Sequence, residues 1–194
     1  MLGPARDEQR IIRLLGAHPA LARRVERRVP GITSDVTARV DLNRLASQSP
    51  PLRSTPRVGP APRAGQLLEW YRAAGRRFSI RWQLLAAVNF IESAFGRVRN
   101  VSGAGAQGPM QFLPATWRAY GLGGNVHDPH DAIVGAANYL AANGARQNER
   151  RALLHYNHSP LYVDAVSRYA NLMAHDPDAF YGYYAWRVYF RHAA

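Results

Sequence analysis

The chain has 194 residues, 47% hydrophobic and 20% charged, which fits one folded core plus some appendage and excludes a disordered polyelectrolyte. Its formal charge is +12 at pH 7, and all 25 basic residues are arginine, so its surface is drawn to polyanions: nucleic acid, an anionic membrane or an acidic cell wall. The absence of cysteine excludes disulfides, thiolate metal sites and thiol nucleophiles.

Residues 7–29 predict a basic amphipathic helical stretch, with Ile11, Leu14, Leu15, Leu21 and Val25 apolar, Pro19 as an interruption and Pro30-Gly31 as its end. Ser34 or Asp35 then caps a second short helix carrying Val36, Val40 and Leu45. From Ser47 to Gly65 the text holds five prolines and no acid, the composition of an extended linker. The expected division is therefore a helical extension at 1–46, a Pro-rich linker at 47–65 and the main domain at 66–194.

Within that domain helices are expected at Gln66–Ala74, at Ile80–Phe95 with Ser79 as N-cap, and at Pro114–Tyr120. Others follow at Pro129–Asn143 behind Asp128, at Glu149–Tyr156, and at Pro160–Ala174 behind Ser159. A Gly-rich loop, SGAGAQG, fills 102–108, and weak alternation in YGYYAWRVYF (181–190) predicts a short extended segment. The expected fold class is mainly α. No apolar run approaches the ~20 residues of a membrane span, and the first residues lack the apolar core of a secretory signal. On that ground the chain reads as cytosolic, or as a mature or truncated exported form.

One carboxylate stands out. On the helix from Ile80, residues Leu84, Leu85, Val88, Ile91 and Phe95 form an apolar stripe, and Glu92 lies at its edge near the helix end. Apolar surroundings and the negative end of the helix dipole both favour the protonated form, which can donate to a leaving oxygen. The competing reading is an ion pair with Arg97 or Arg99.

Glu92-Ser93, SGAGAQGPMQFLPATW at 102–117 and LLHYN at 153–157 occur in that order. Together they resemble the successive motifs of the soluble lytic transglycosylase family, over roughly two-thirds of the chain, from Gln66 to Ala174. The resemblance implies a helical domain like that of goose-type lysozyme, acting on peptidoglycan. It implies Glu92 as the single catalytic acid and base, with Ser102 and Tyr156 hydrogen-bonding near its carboxyl. Ser93, Met110, Gln111, Tyr120 and Asn157 are expected along the sugar groove. Pro109 stands where the family more often has leucine.

The residue types agree with that chemistry. Gln111 and Asn157 each offer a donor and an acceptor, as amino sugars require. Ordinary glycosidases use two acids, and the sequence supplies poor second candidates. Asp128 and Asp131 have the spacing of a helix cap, Asp164 pairs with Arg168 four residues on, and Glu149 sits in a solvated polar run. A single acid suffices when the C6 hydroxyl of the sugar, rather than water, is the nucleophile.

His127, His130, His155 and His158 lack metal-ligand spacing, so no metal or other cofactor is expected. The aromatic residues of 180–190 are assigned to packing. Expected partners are glycan strands and anionic wall polymers met by the arginines, with no nucleic acid and no membrane span, for a monomer in an extracellular or periplasm-like space. The alternatives are a hydrolytic lysozyme on the same fold and a non-catalytic wall-binding module.

Overall fold

A computed structural model describes residues 3–48 and 56–189. Helices α1 (Gly3–Ala17) and α2 (Pro19–Glu26) are separated at His18, where Pro19 removes the N–H that would continue the first. A single 3-10 turn, Pro30–Ile32, leads into α3 (Thr33–Gln48). Then come α4 (Ala64–Phe78), α5 (Trp82–Ser93), α6 (Pro114–Tyr120), α7 (Pro129–Ala142), α8 (Glu149–Tyr156), α9 (Pro160–His175) and α10 (Ala179–Ala185). The mainly α architecture is as expected, and no β-strand forms among the described residues. None of the described helices is long and apolar enough to cross a membrane.

The core is organised around α5. Its Leu84, Leu85, Ala86, Ala87 and Val88 are all fully buried, the pattern of a helix covered on every side. Helices α4, α7 and α9 pack against it. At its end Phe90 meets Phe95, Tyr169, Tyr183 and Trp186 in an aromatic cluster, so most of the C-terminal aromatic residues do pack, while Tyr181 and Tyr189 stay exposed.

Helix boundaries differ from expectation at α5. Ser79 does not start it; it ends α4, in the left-handed region at φ 57°, and α5 begins after Arg81. The helix stops at Ser93 rather than Phe95, because Ala94 (φ 51°), Phe95 (φ 63°) and Gly96 (φ 82°) are all left-handed. Two non-glycine residues in that region cost about 1 kcal/mol or more each. Burial of the Phe95 ring against Phe90 and Phe180, at 5.4 and 5.6 Å, offsets this.

Two charge pairings also differ. Glu149 is not a solvated acid but holds Arg81 at 2.7 Å, and Asp164 pairs with Arg150 at 2.6 Å, leaving Arg168 to Asp41 at 3.6 Å. The expected extended segment is helical through Ala185; only 186–189 leave the helix, without strand pairing, and Phe190 lies outside the described residues.

The N-terminal helices lie on the main body. Helix α3 packs along α9 and α1 against α3 and α10. Ile12 and Ala38 belong to the same buried cluster as Leu67, Leu84 and Tyr169. Asp35 of α3 accepts a buried 2.7 Å hydrogen bond from the Tyr183 hydroxyl. Gln9 of α1 donates to the Arg187 carbonyl (2.7 Å) and accepts from its N–H (2.9 Å). Of the Pro-rich stretch, residues 49–55 lie outside the described part. Val58 forms an antiparallel bridge to Val98, with Gly59 donating to Arg97 and Arg99 donating to Arg57.

Candidate active site

Glu92 stands on the last turn of α5, partly open to solvent, with its carboxyl set among protein groups. The Tyr162 hydroxyl, from the first turn of α9, donates to Glu92 Oε1 at 2.6 Å. Burial pushes the Glu92 pKa up to about 7, against the opposing pull of that hydrogen bond. Tyr162 itself is pushed well up by burial and by Glu92, so it remains a donor. No ion pair involves Glu92 among the described residues, and Arg97 instead donates to the Ala94 and Tyr184 carbonyls. The carboxyl is therefore a proton donor and acceptor near neutrality.

The turn 108–111 is fastened to α5 from beneath. The Pro109 carbonyl accepts from Asn89 Nδ2 (2.7 Å) and from the Ser93 hydroxyl, and Ser93 Oγ also accepts from the Gly96 N–H at 2.8 Å. Pro109 costs the turn nothing here, since its carbonyl is the group in use. Gln107 and Phe112 form an antiparallel bridge across the turn, and Tyr156 donates to the Met110 carbonyl at 2.6 Å. Gln111, at φ 50°, donates its side-chain amide to the Gly108 (2.9 Å) and Asn100 (3.2 Å) carbonyls.

Several expected roles are reassigned by this geometry. Tyr156 does not hydrogen-bond the carboxyl; its hydroxyl is spent on Met110, and Tyr162 takes the place beside Glu92. Ser102 accepts from the Ala106 N–H at 2.9 Å and so closes its own loop rather than reaching Glu92. Ser93 and Met110 are 1% and 0% exposed, which removes both side chains from any groove and leaves them to position Glu92 and the turn. Gln111, Tyr120 and Asn157 keep partial exposure, Asn157 Oδ1 accepting the Ser159 N–H at 3.2 Å.

Sequence reasoning missed Tyr162 and Tyr139. Tyr139, on α7, meets Tyr120 edge-on at 4.9 Å and Tyr156 at 5.5 Å, and Tyr156 runs parallel to Tyr162 at 6.4 Å. The result is a row of tyrosines from Tyr120 to the carboxyl. Tyrosines at helical spacing are what a core contains, and only the order in space distinguishes these.

Asp128 and Asp131 have structural work. Asp128 caps α7 by accepting from the Asp131 N–H at 3.0 Å, and Asp131 accepts from the Asn125 N–H at 3.0 Å, a bond that holds its carboxyl below the usual range. Asp128, His130 and Asp131 bring their donor atoms within 4.8 Å of one another, the one group with metal-ligand chemistry among the described residues. It is the N-terminal cap of α7, away from the Tyr162–Glu92 pair in sequence and in its bonds.

The model of the transglycosylase SLT domain family matches residues 69–175, more than half of the chain. The chain belongs to the SLT domain family. The matched span runs from α4 to the end of α9 and so contains Glu92, the 108–111 turn and the tyrosine row. A protein of Enterobacteria phage PRD1 described as a transglycosylase is 37% identical over 94 residues, which are 46% of this chain and 35% of that protein. This SLT chain thus spans about a third of the length of the curated relative it matches. No solved structure matches it significantly.

Proposed function

We propose that this SLT-domain protein is a peptidoglycan lytic transglycosylase that works with Glu92 as its single acid and base. The observation that carries the reading is the Glu92 carboxyl itself. It is held by one tyrosine, burial pushes its pKa up to about 7, and Asp128, Glu149 and Asp164 are engaged elsewhere. Protonated Glu92 gives its proton to the glycosidic oxygen between MurNAc and GlcNAc as the bond from the anomeric carbon breaks. The resulting carboxylate takes the proton of the MurNAc C6 hydroxyl, whose oxygen bonds to the anomeric carbon and closes a 1,6-anhydro ring. Protons balance, and Glu92 returns to its starting form. Because the nucleophile is tethered to the reacting sugar, it has the advantage of high effective molarity over water.

Tyr120, Tyr139 and Tyr156, which keep partial exposure, supply faces on which sugar rings stack, and Gln111 and Asn157 supply amide groups for N-acetyl and hydroxyl recognition. A peptidoglycan substrate supports a site of action outside the cytoplasm, where +12 favours a wall rich in carboxylates and phosphates. Digestion of peptidoglycan in ¹⁸O-water tests the chemistry by mass spectrometry. Anhydro-MurNAc ends free of ¹⁸O are expected, and Glu92→Gln should release no muropeptides while keeping its circular dichroism. Reducing ends carrying ¹⁸O, lost in Asp128→Asn or Asp131→Asn, would instead assign a two-carboxylate lysozyme.

A further inference from the structure

A second opening lies apart from the tyrosine row. It is a cleft of 530 Å³ between α1, the Val58-Gly59 segment, Arg97 and the chain leaving α10. Arg6, Arg97 and Arg187 line it together with Tyr184 and Trp186; neither Glu92 nor Tyr162 does, and no acid does. A Cβ on Gly59 would collide with the Arg99 guanidinium, so a fourth positive charge lies directly behind the wall.

Three features make this more than a basic surface. Arg6, Arg97 and Arg187 have no carboxylate within ion-pair distance among the described residues. Arg97 is fixed in place: its Nη atoms donate to Ala94 and Tyr184 carbonyls at 3.0 and 2.9 Å, and its guanidinium lies 4.4 Å from the Tyr184 ring centre. Finally, Trp186 is 6% exposed, and its indole N–H and the Arg6 Nε are buried with no hydrogen-bond partner. A buried donor without an acceptor costs about 1–3 kcal/mol, and native folds retain few of them. Half-burial lowers the Arg97 pKa from its ordinary value, a penalty that a neighbouring anion relieves.

We propose that this cleft is a binding site for an oxyanion group, carboxylate or phosphate, carried by the cell-wall polymer. Planar guanidinium groups pair with both through parallel N–H bonds, and the aromatic walls exclude water from the pairing. The choice of the wall as source rests on the peptidoglycan reading; the anion chemistry does not. Stem-peptide carboxylates and phosphodiester polymers are the two sources of that chemistry in a wall. Engagement here would hold the chain on its substrate while the glycan occupies the tyrosine row.

The test is calorimetric titration of the full chain with two probes, L-alanyl-γ-D-glutamate and glycerol 3-phosphate. Saturable binding of at least one is expected; the probe preferred identifies the source. Arg6→Gln with Arg187→Gln should weaken that binding by about a hundredfold, on the order of tenfold per charged partner lost. Arg187 uses only its backbone toward Gln9, so its side chain is removable without breaking that contact. If the pair of changes impairs folding, Arg187→Gln alone carries the test, with a loss of about tenfold. Arg23→Gln with Arg24→Gln, exposed on α2, removes equal charge and should leave the affinity within about twofold. Equal weakening in both pairs, or no saturable binding of either probe, overturns the site. Glu92→Gln should bind as wild type, so loss of the cleavage reading and loss of the cleft are told apart.

Discussion

At the scale of single residues, burial pushes the pKa of both Glu92 and Tyr162 up, while the hydrogen bond between them pulls Glu92 down and pushes Tyr162 further up. Glu92 has its ordinary value of 4.5 when unfolded and about 7 when folded. Between those values the unfolded chain has released a proton that the folded chain keeps, so stability falls as pH rises through that window. Glu92→Gln removes the titration. It should therefore be more stable than wild type by up to about 3 kcal/mol above neutrality, with the gain vanishing below about pH 4. Denaturant melts at the two ends of the window measure this. Tyr162→Phe deletes the bond that pulls the Glu92 pKa down, so the alkaline limb of the pH–rate profile should move to higher pH, with about 1 kcal/mol of stability lost. A limb that stays put would detach Tyr162 from the proton transfer. Glu92 was legible from sequence because an acid on an apolar stripe is unusual. Tyr162 was not, because a tyrosine at helical spacing is what a core contains. Ser93 and Met110 were misread for the converse reason: a motif gives the neighbourhood of the site but not which way a side chain points.

Among elements, the cap at Asp128 was readable, the equivalent cap at Asn148 was passed over, Ser34 and Asp35 lie inside α3 rather than capping it, and turns set by left-handed backbone left no sign. Asp128-Pro129 announced α7, and the Asp128 side chain does accept from the Asp131 N–H. Nothing local marked Ser79, Ala94 or Phe95 as left-handed, since the packing of Phe95 and the close approach at Gly75 impose those turns. A Cβ on Gly75 would lie 2.5 Å from the Ile80 carbonyl. The Gly-rich loop divides in the same way. Gly108 has φ 72° and a Cβ there would collide with the Val126 carbonyl, whereas around Gly103 nothing lies within 4 Å. Gly108→Ala should cost about 2–5 kcal/mol and dislodge the turn that seats Met110 and Gln111, while Gly103→Ala should stay within about 0.5 kcal/mol of wild type. Thermal melts and muropeptide release on the two variants give the comparison. Equal effects would mean that the loop works by flexibility rather than by shape.

For the whole molecule, sequence composition suggested that the chain could be cut at Gly65, because a Pro-rich stretch buries little. Burial across the chain argues for a different outcome. Val36, Ala38 and Asp35 of α3 and Ile12 of α1 are buried, and the groups they cover on α9 and α10 would be exposed by the cut. A chain beginning at Ala64 should lose roughly 10 °C or more in melting temperature relative to the full one. Melting within about 2 °C of the full chain would make helices α1–α3 a detachable appendage. The composition carried no sign of the long-range contacts that α1 and α3 make with α9 and α10. The reciprocal bonds of Gln9 with Arg187 have a further consequence, in the order of folding. They join residues 178 apart, so this clasp cannot close until Arg187 has left the ribosome, even though α1 can pack on α3 before then. Closing a loop of that size early is entropically costly, and contacts of such separation slow the final step. Until α9 and α10 have emerged, the faces that α3 turns to α9 and α1 turns to α10 therefore stay open to solvent.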